Sequence, residues 1–193
     1  VVVHSTTKYL NGHSDVVGGT VVARDAALLE QLAWWGNATG VTGAPFDAYL
    51  TLRGLRTLHV RLRQHLENAA AVVDTLAAHP AVAALHYPGL TTHPGHDIAR
   101  AQQSGFGAMV SFELHGGAPA VERFTRGLRH FTLAESLGGV ESLVAHPATM
   151  THACMDEADR LAAGIGAGLV RLSVGIEDAR DLVHDLARGL AAV

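Results

Sequence analysis

Apolar and polar positions follow two periods along this chain, and the change between them divides it into recognisable stretches. Val1–Val3 is a short β-branched run and reads as a buried strand end, while Ser5–Asp15 is polar, rich in turn formers, and reads as a loop. Val16–Ala23 is again apolar and β-branched, with Gly18 and Gly19, and suits a buried strand of a mixed or parallel sheet. Asp25 is placed to cap a helix over Ala26–Trp35, whose Leu28, Leu29 and Leu32 keep helical spacing, and Gly36–Gly43 breaks it. A longer helical stretch runs from Pro45 to about His79 with Leu52, Leu55, Leu58, Leu62, Leu66 and Ala69 on one stripe. Gly54 inside it marks a bend or a close packing point.

From Val82 the elements become shorter. Ala83–His86 reads as a strand, Pro88–His96 as a loop and Ile98–Gln103 as a short helix. Ala108–Leu114 sets Val110, Phe112 and Leu114 against Met109, Ser111 and Glu113, a period of two that predicts a half-exposed strand. A helix over Pro119–Arg126, strands at Phe131–Leu133 and Leu169–Val174, and an amphipathic terminal helix over Glu177–Leu190 complete the pattern. On this last helix, early Glu177 and Asp178 and late Arg188 suit the helix dipole and read as a solvated face. The order predicts an α/β first part followed by a small α+β domain.

Composition narrows the function. A formal net charge of −4 leaves no basic field for nucleic acid or an anionic membrane, and no apolar run approaches a membrane span. A single Cys, Cys154, excludes an internal disulfide framework and a Cys-based zinc site, and it reads as structural. The N-terminus does not read as a signal peptide; a start at Val1 inside an apolar run suggests a fragment, a processed chain or a numbering restart. The 13 His invite a metal reading, but their spacings match no ligand motif and HExxH is missing, so most read as surface or packing residues. Trp34 and Trp35 read as packing or subunit-contact residues.

Of the 14 Lys and Arg residues only Lys8 is lysine. It follows a strand-like run and is flanked by Ser5 and Thr7, whose hydroxyls are apt phosphate donors. A lysine amine condenses with an aldehyde, which a guanidinium does not. From spacing alone, an ordinary loop lysine is the better explanation of Lys8, since any chain has Ser and Thr near Lys. Likewise a strand arginine pairing with Glu177 or Asp178 explains Arg171, and the capping of a tight turn before Gly138 and Gly139 explains Glu135 and Ser136.

The segment HSTTKYLNGHSDVVGG, residues 4–19, closely resembles the cofactor-lysine motif of the Cys/Met-metabolism family of pyridoxal-phosphate enzymes. The resemblance continues through AWWGNATGVTGAPFDAYLTLRGLRTL, FTLAESLGGVESLVAHPATMTHA and GLVRLSVGIEDARDL, and spans the C-terminal half of a family subunit. It implies the end of the large cofactor domain of a fold-type I enzyme at residues 1–58 and the small C-terminal domain at 59–193. It implies that Lys8 carries pyridoxal 5'-phosphate as a Schiff base and that Ser5 and Thr7 touch its phosphate. Arg171 would then grip the substrate α-carboxylate, Ser136 would line the same place, and Glu135 would face the distal end of the substrate.

The family contains cystathionine γ-synthases, cystathionine γ-lyases and methionine γ-lyases, and residues 33–58 are most similar to the bacterial synthases. The implied reaction replaces the acyl group of an O-acyl-homoserine, O-succinyl by expectation, with cysteine to give cystathionine in methionine biosynthesis. The implied partners are the amino-acid substrates, the N-terminal half of the subunit and neighbouring subunits of a cytoplasmic homotetramer. A γ-lyase, or a non-catalytic interaction domain, are the alternatives.

Overall fold

The computed structural model describes all residues, Val1–Val193, and the chain divides into two compact units, Val1–Val60 and Arg61–Val193. In the first unit, strand β1 (Val2–Ser5) pairs antiparallel with β2 (Gly19–Val22), with Val2 opposite Val22 and Ser5 opposite Gly19. Two expectations change here. The strands form an antiparallel pair of their own rather than part of a mixed or parallel sheet, and every residue of β1 is exposed. A β-branched run encodes an extended backbone, whereas burial requires a covering layer, and β1 and β2 form a sheet of their own.

Residues 6–10, expected as loop, form a single π-helical turn, kinked at Lys8 (φ −97°, ψ −135°). Helix α1 (Ala26–Thr39) starts on Asp25, whose carboxylate accepts from the Leu28 N–H at 2.7 Å. It runs past Gly36 and ends at Gly40, which takes the left-handed conformation (φ +72°) of a helix terminator. Helix α2 (Pro45–Leu55) has Pro45 in its first turn. The expected long helix is therefore two: the chain breaks after Leu55 and resumes as α3 (Leu58–Ala77). Gly54 is a close packing point, because a Cβ there would collide with the backbone carbonyl of Asn11.

The second unit is built on a five-stranded sheet of order β3-β4-β7-β6-β5: Val82–His86, Met109–Leu114, Leu169–Ser173, Leu143–Ala145 and Thr132–Leu133. All pairings are antiparallel except β5 with β6. The alternation in β4 is realised: Val110, Phe112 and Leu114 are buried and the intervening residues are not. They pack with Val170 and Leu172 against α3 (Ala69, Val72, Leu76), α5 (Gly117–Gly127; Val121, Phe124) and α7 (Ala179–Leu190; Leu182, Leu186, Leu190). Phe112 and Phe124 meet edge to face at 5.5 Å. Two short helices, α4 (His96–Gln102) and α6 (Glu157–Ala162), lie in the connections. No helix is long and apolar enough to cross a membrane.

The terminal helix is not simply a solvated face. Asp185 is fully buried and accepts the backbone N–H groups of Arg129, His130 and Phe131 at 2.8, 2.8 and 3.0 Å. Arg188 pairs with the same carboxylate. Both residues therefore anchor the connection between α5 and β5 to the terminal helix. His65, also fully buried, lies 2.7 Å through Nδ1 from the Val174 carbonyl, so this nitrogen donates.

Candidate active site

The first constellation surrounds Lys8. At the end of β1 the Thr6 N–H donates to the Gly18 carbonyl at 2.9 Å. The Thr7 hydroxyl accepts from the Gly18 N–H at 3.0 Å. Gly18 is required by proximity, since a Cβ there would lie 2.9 Å from Thr6 Oγ1. The loop after Lys8 closes through the Gly12 N–H, which donates to the Lys8 carbonyl at 2.8 Å, and the buried Asn11 amide, which donates to Asp15 at 2.6 Å. Gly54 of α2 sits against the Asn11 carbonyl and braces the loop from behind.

Lys8 is half-buried on this kinked turn, Ser5 is exposed opposite Gly19, and the Thr7 hydroxyl is engaged with Gly18. Thr6, not singled out in the sequence, is the buried hydroxyl of the three. It lines, with Gly18, Gly19, Thr42 and Thr51, an open pocket of about 520 Å³. No period in the sequence marks it, since Thr6 opens the turn after β1 and β1 itself is exposed throughout.

The second constellation belongs to the other unit. Arg171 stands on β7 between Ser111 of β4 and Ala145 of β6. Its guanidinium donates to the backbone carbonyls of Glu135 and Ser136 at 2.9 and 3.2 Å. The structure thus joins Arg171, Glu135 and Ser136, but through main-chain carbonyls. The expected alternative, an ion pair with Glu177 or Asp178, is absent: Glu177 holds Ser142, and Asp178 pairs with Arg180. The Arg180 guanidinium and N–H hold the Asp178 carboxyl down to about 2. Burial lowers the Arg171 pKa and the nearby Glu135 charge opposes that, so the guanidinium stays positive at neutral pH. A partly desolvated cation with a planar fork is suited to a carboxylate.

The histidines do not assemble a metal centre: no group of three or more His, Cys, Asp or Glu residues converges. His146 bonds Thr149 and the Ala167 carbonyl. Cys154 is exposed rather than packed. Trp34 and Trp35 are exposed and meet edge to face at 4.8 Å.

The residues around Lys8 fit an aldehyde-bearing phosphate cofactor. They offer a primary amine on a braced turn, hydroxyls on both sides of the strand end, and a glycine cradle that a Cβ at Gly18 would fill. Comparison with known proteins points the same way. The family model of the Cys/Met metabolism PLP-dependent enzymes matches residues 1–191. Cystathionine γ-synthase of Escherichia coli (strain K12) is 56% identical over 100% of this chain and 50% of its own length. Cystathionine γ-lyase of Bacillus subtilis (strain 168) is 49% identical over 98% of this chain and 50% of its own length. The crystal structure of cystathionine γ-synthase from Xanthomonas oryzae pv. oryzae with aminoacrylate and cysteine superposes with a TM-score of 0.95 at 66% identity, over 99% of this chain and 49% of that one. The chain thus spans about half the length of the curated relatives it matches.

Proposed function

Because this chain belongs to the Cys/Met-metabolism family of pyridoxal-phosphate-dependent enzymes, we propose that it is the lysine-bearing half of a cystathionine γ-synthase. In this reading residues 1–58 end the cofactor domain and residues 59–193 form the small C-terminal domain. The N-terminal half and neighbouring subunits of a cytoplasmic homotetramer complete the site. The reaction is replacement of the acyl group of an O-acyl-homoserine, O-succinylhomoserine in our reading, by the sulfur of cysteine. Support comes from the position of the chain's single lysine on the braced turn after β1, together with the identity to γ-synthases.

Pyridoxal phosphate, when bound, supplies an electron sink conjugated to the substrate amine. The roles of this chain's residues follow from their chemistry. Lys8 Nζ carries the cofactor between turnovers, then accepts protons leaving the substrate Cα and Cβ and returns them after the exchange at Cγ. Departure of the acyl group as a carboxylate and addition of the cysteine sulfur at that carbon complete the balance. Arg171 binds the α-carboxylate, with its guanidinium oriented by the Glu135 and Ser136 carbonyls. Ser5, Thr7 and Thr6 hold phosphate oxygens or shape the cradle behind them, Ser136 lines the carboxylate site, and Glu135 faces the distal end of the substrate. A γ-lyase acting on cystathionine is the second reading, favoured by the 49% identity to the Bacillus subtilis enzyme.

The test is Lys8→Ala in the complete enzyme. Turnover is expected to fall by at least about a thousandfold, and the visible absorbance of the lysine-bound cofactor, with its borohydride-fixed mass on Lys8, should vanish. Near-normal activity of that variant overturns the assignment. Comparing O-succinylhomoserine plus cysteine with cystathionine alone separates synthase from lyase, and turnover of cystathionine only would replace the first reading by the second.

A further inference from the structure

The segment that presents Glu135 and Ser136 to Arg171 has almost no regular structure of its own. Between β5 and β6 the chain runs from Ala134 to Ser142 through Gly138 (φ +76°) and Gly139. Its position is set by bonds from the strand–helix junction that follows β7. The Glu177 carboxylate accepts the Ser142 N–H at 2.6 Å and the Ser142 hydroxyl at 2.8 Å. That hydroxyl accepts in turn from the Gly175 N–H at 2.8 Å. The Ile176 N–H donates to the Val140 carbonyl at 2.9 Å, and the Ser173 hydroxyl accepts from the Gly138 N–H at 2.8 Å. Gly175 lets the two strands of chain approach, because a Cβ there would collide with the Glu177 carboxylate and the Val140 carbonyl. The junction itself is anchored to α3: Asn68 donates to the Gly175 and Glu177 carbonyls at 3.0 and 2.8 Å.

Ser142 and Ser173 are buried, at 0% and 1% exposure, so these bonds are shielded from water. Arg171 lies on the strand that feeds the junction, and its guanidinium rests on carbonyls at the far end of the segment. A slip of residues 135–141 would therefore turn the guanidinium as well as move Ser136. We propose that Glu177 and Ser142 form a positioning clasp that holds residues 135–141 in register with Arg171 and so sets the affinity of the enzyme for the substrate's α-carboxylate. This rests on the reading of Arg171 given above. Glu177 and Ser142 act through the segment and touch no substrate.

The experiment uses the complete pyridoxal-phosphate-loaded enzyme with Ser142→Ala, Glu177→Ala, Glu177→Gln and, as a control, Val121→Ala. Val121 is buried on α5 and bonds nothing in the segment. Melting temperature ranks the general destabilisation of each variant. Ser142→Ala is expected to raise KM for O-succinylhomoserine about five- to tenfold with kcat within about twofold, the size of one displaced hydrogen bond expressed in binding. Amide exchange in the peptide 136–142 should quicken by a similar factor, while that of residues 109–114 stays as in the control. Glu177→Gln keeps one acceptor for the Ser142 N–H and should recover most of the KM, whereas Glu177→Ala removes the acceptor of both bonds, should raise KM as Ser142→Ala does, and supplies the test if Ser142→Ala does not fold. The clasp is overturned if KM and exchange in Ser142→Ala and Glu177→Ala follow Val121→Ala, or if exchange quickens with KM unchanged. A wild-type enzyme that neither binds nor turns over an amino-acid substrate would overturn the functional reading, and the clasp's role with it. Normal wild-type turnover with unresponsive variants overturns the clasp alone.

Discussion

The two units of this chain carry comparable chemistry on very different foundations. In residues 61–193 a closed core of Phe112, Phe124, Leu172, Leu182 and Leu186, all fully buried, holds a sheet whose other face carries Arg171. In residues 1–60 the proposed catalytic lysine sits on a turn braced by backbone contacts, while α1 buries none of its residues and Val3, Val17, Trp34, Trp35 and Phe46 are exposed. A site needs rigid support, and a packed core supplies it in one unit. Within residues 1–60 it comes from close approaches at Gly18, met by the Thr6 hydroxyl, and at Gly54, met by the Asn11 carbonyl.

The sharpest way to break this contrast is a matched pair of truncations. Phe124→Ala should cost about 3–5 kcal/mol, because it opens a cavity in a filled core. Phe46→Ala, at a position 66% exposed, should stay within about 0.5 kcal/mol for the chain by itself. Denaturant unfolding measures both, and an equal cost would mean that the first unit holds a core of its own. Next in size is Asp185→Ala, which leaves three backbone N–H groups and Arg188 without their acceptor and should cost about 3 kcal/mol by the same measurement. A smaller effect is expected of Gly54→Ala. It forces the Asn11 carbonyl to move, at about 1–3 kcal/mol, and should slow cofactor capture at Lys8 while leaving the unfolding of the second unit unchanged.

The smallest effect is in pH. Burial, with the nearby Arg61 charge, lowers the His65 pKa below 6.5; the Val174 carbonyl, Glu177 and Glu141 oppose this without reversing it. The fold therefore favours the neutral ring, and the unfolded chain binds the proton more readily. Stability from this residue is complete above pH 6.5 and declines as pH falls below it toward the folded-state pKa. Melting curves of wild type and His65→Gln from pH 8 to pH 5 should converge on acidification. Parallel curves would assign the acid sensitivity elsewhere.

Much of the second unit was legible because burial on one face writes itself as alternation, as in Val110, Phe112 and Leu114. Helix starts were legible where a side chain does the capping, as at Asp25. Strand β6 was not, because Leu143–Ala145 is short and buried throughout, which leaves no period to read. The run Val1–Val3 was legible as strand but not as exposed, since propensity reports backbone shape and not what lies above it. At the candidate site the residue types stood out, but their partners did not. Arg171 rests on carbonyls, which every residue possesses, and Thr6 differs from Ser5 and Thr7 by its burial at the start of a turn, which no period in the sequence records.

The contact of Gly54 with the Asn11 carbonyl joins distant parts of the sequence. The turn bearing Lys8 is held by its own bonds to Gly18 and within its loop and, from behind, by α2. A helix more than thirty residues downstream is thus one wall of the mould in which the amine is set, and a bulkier residue on that wall is a change to the lysine turn.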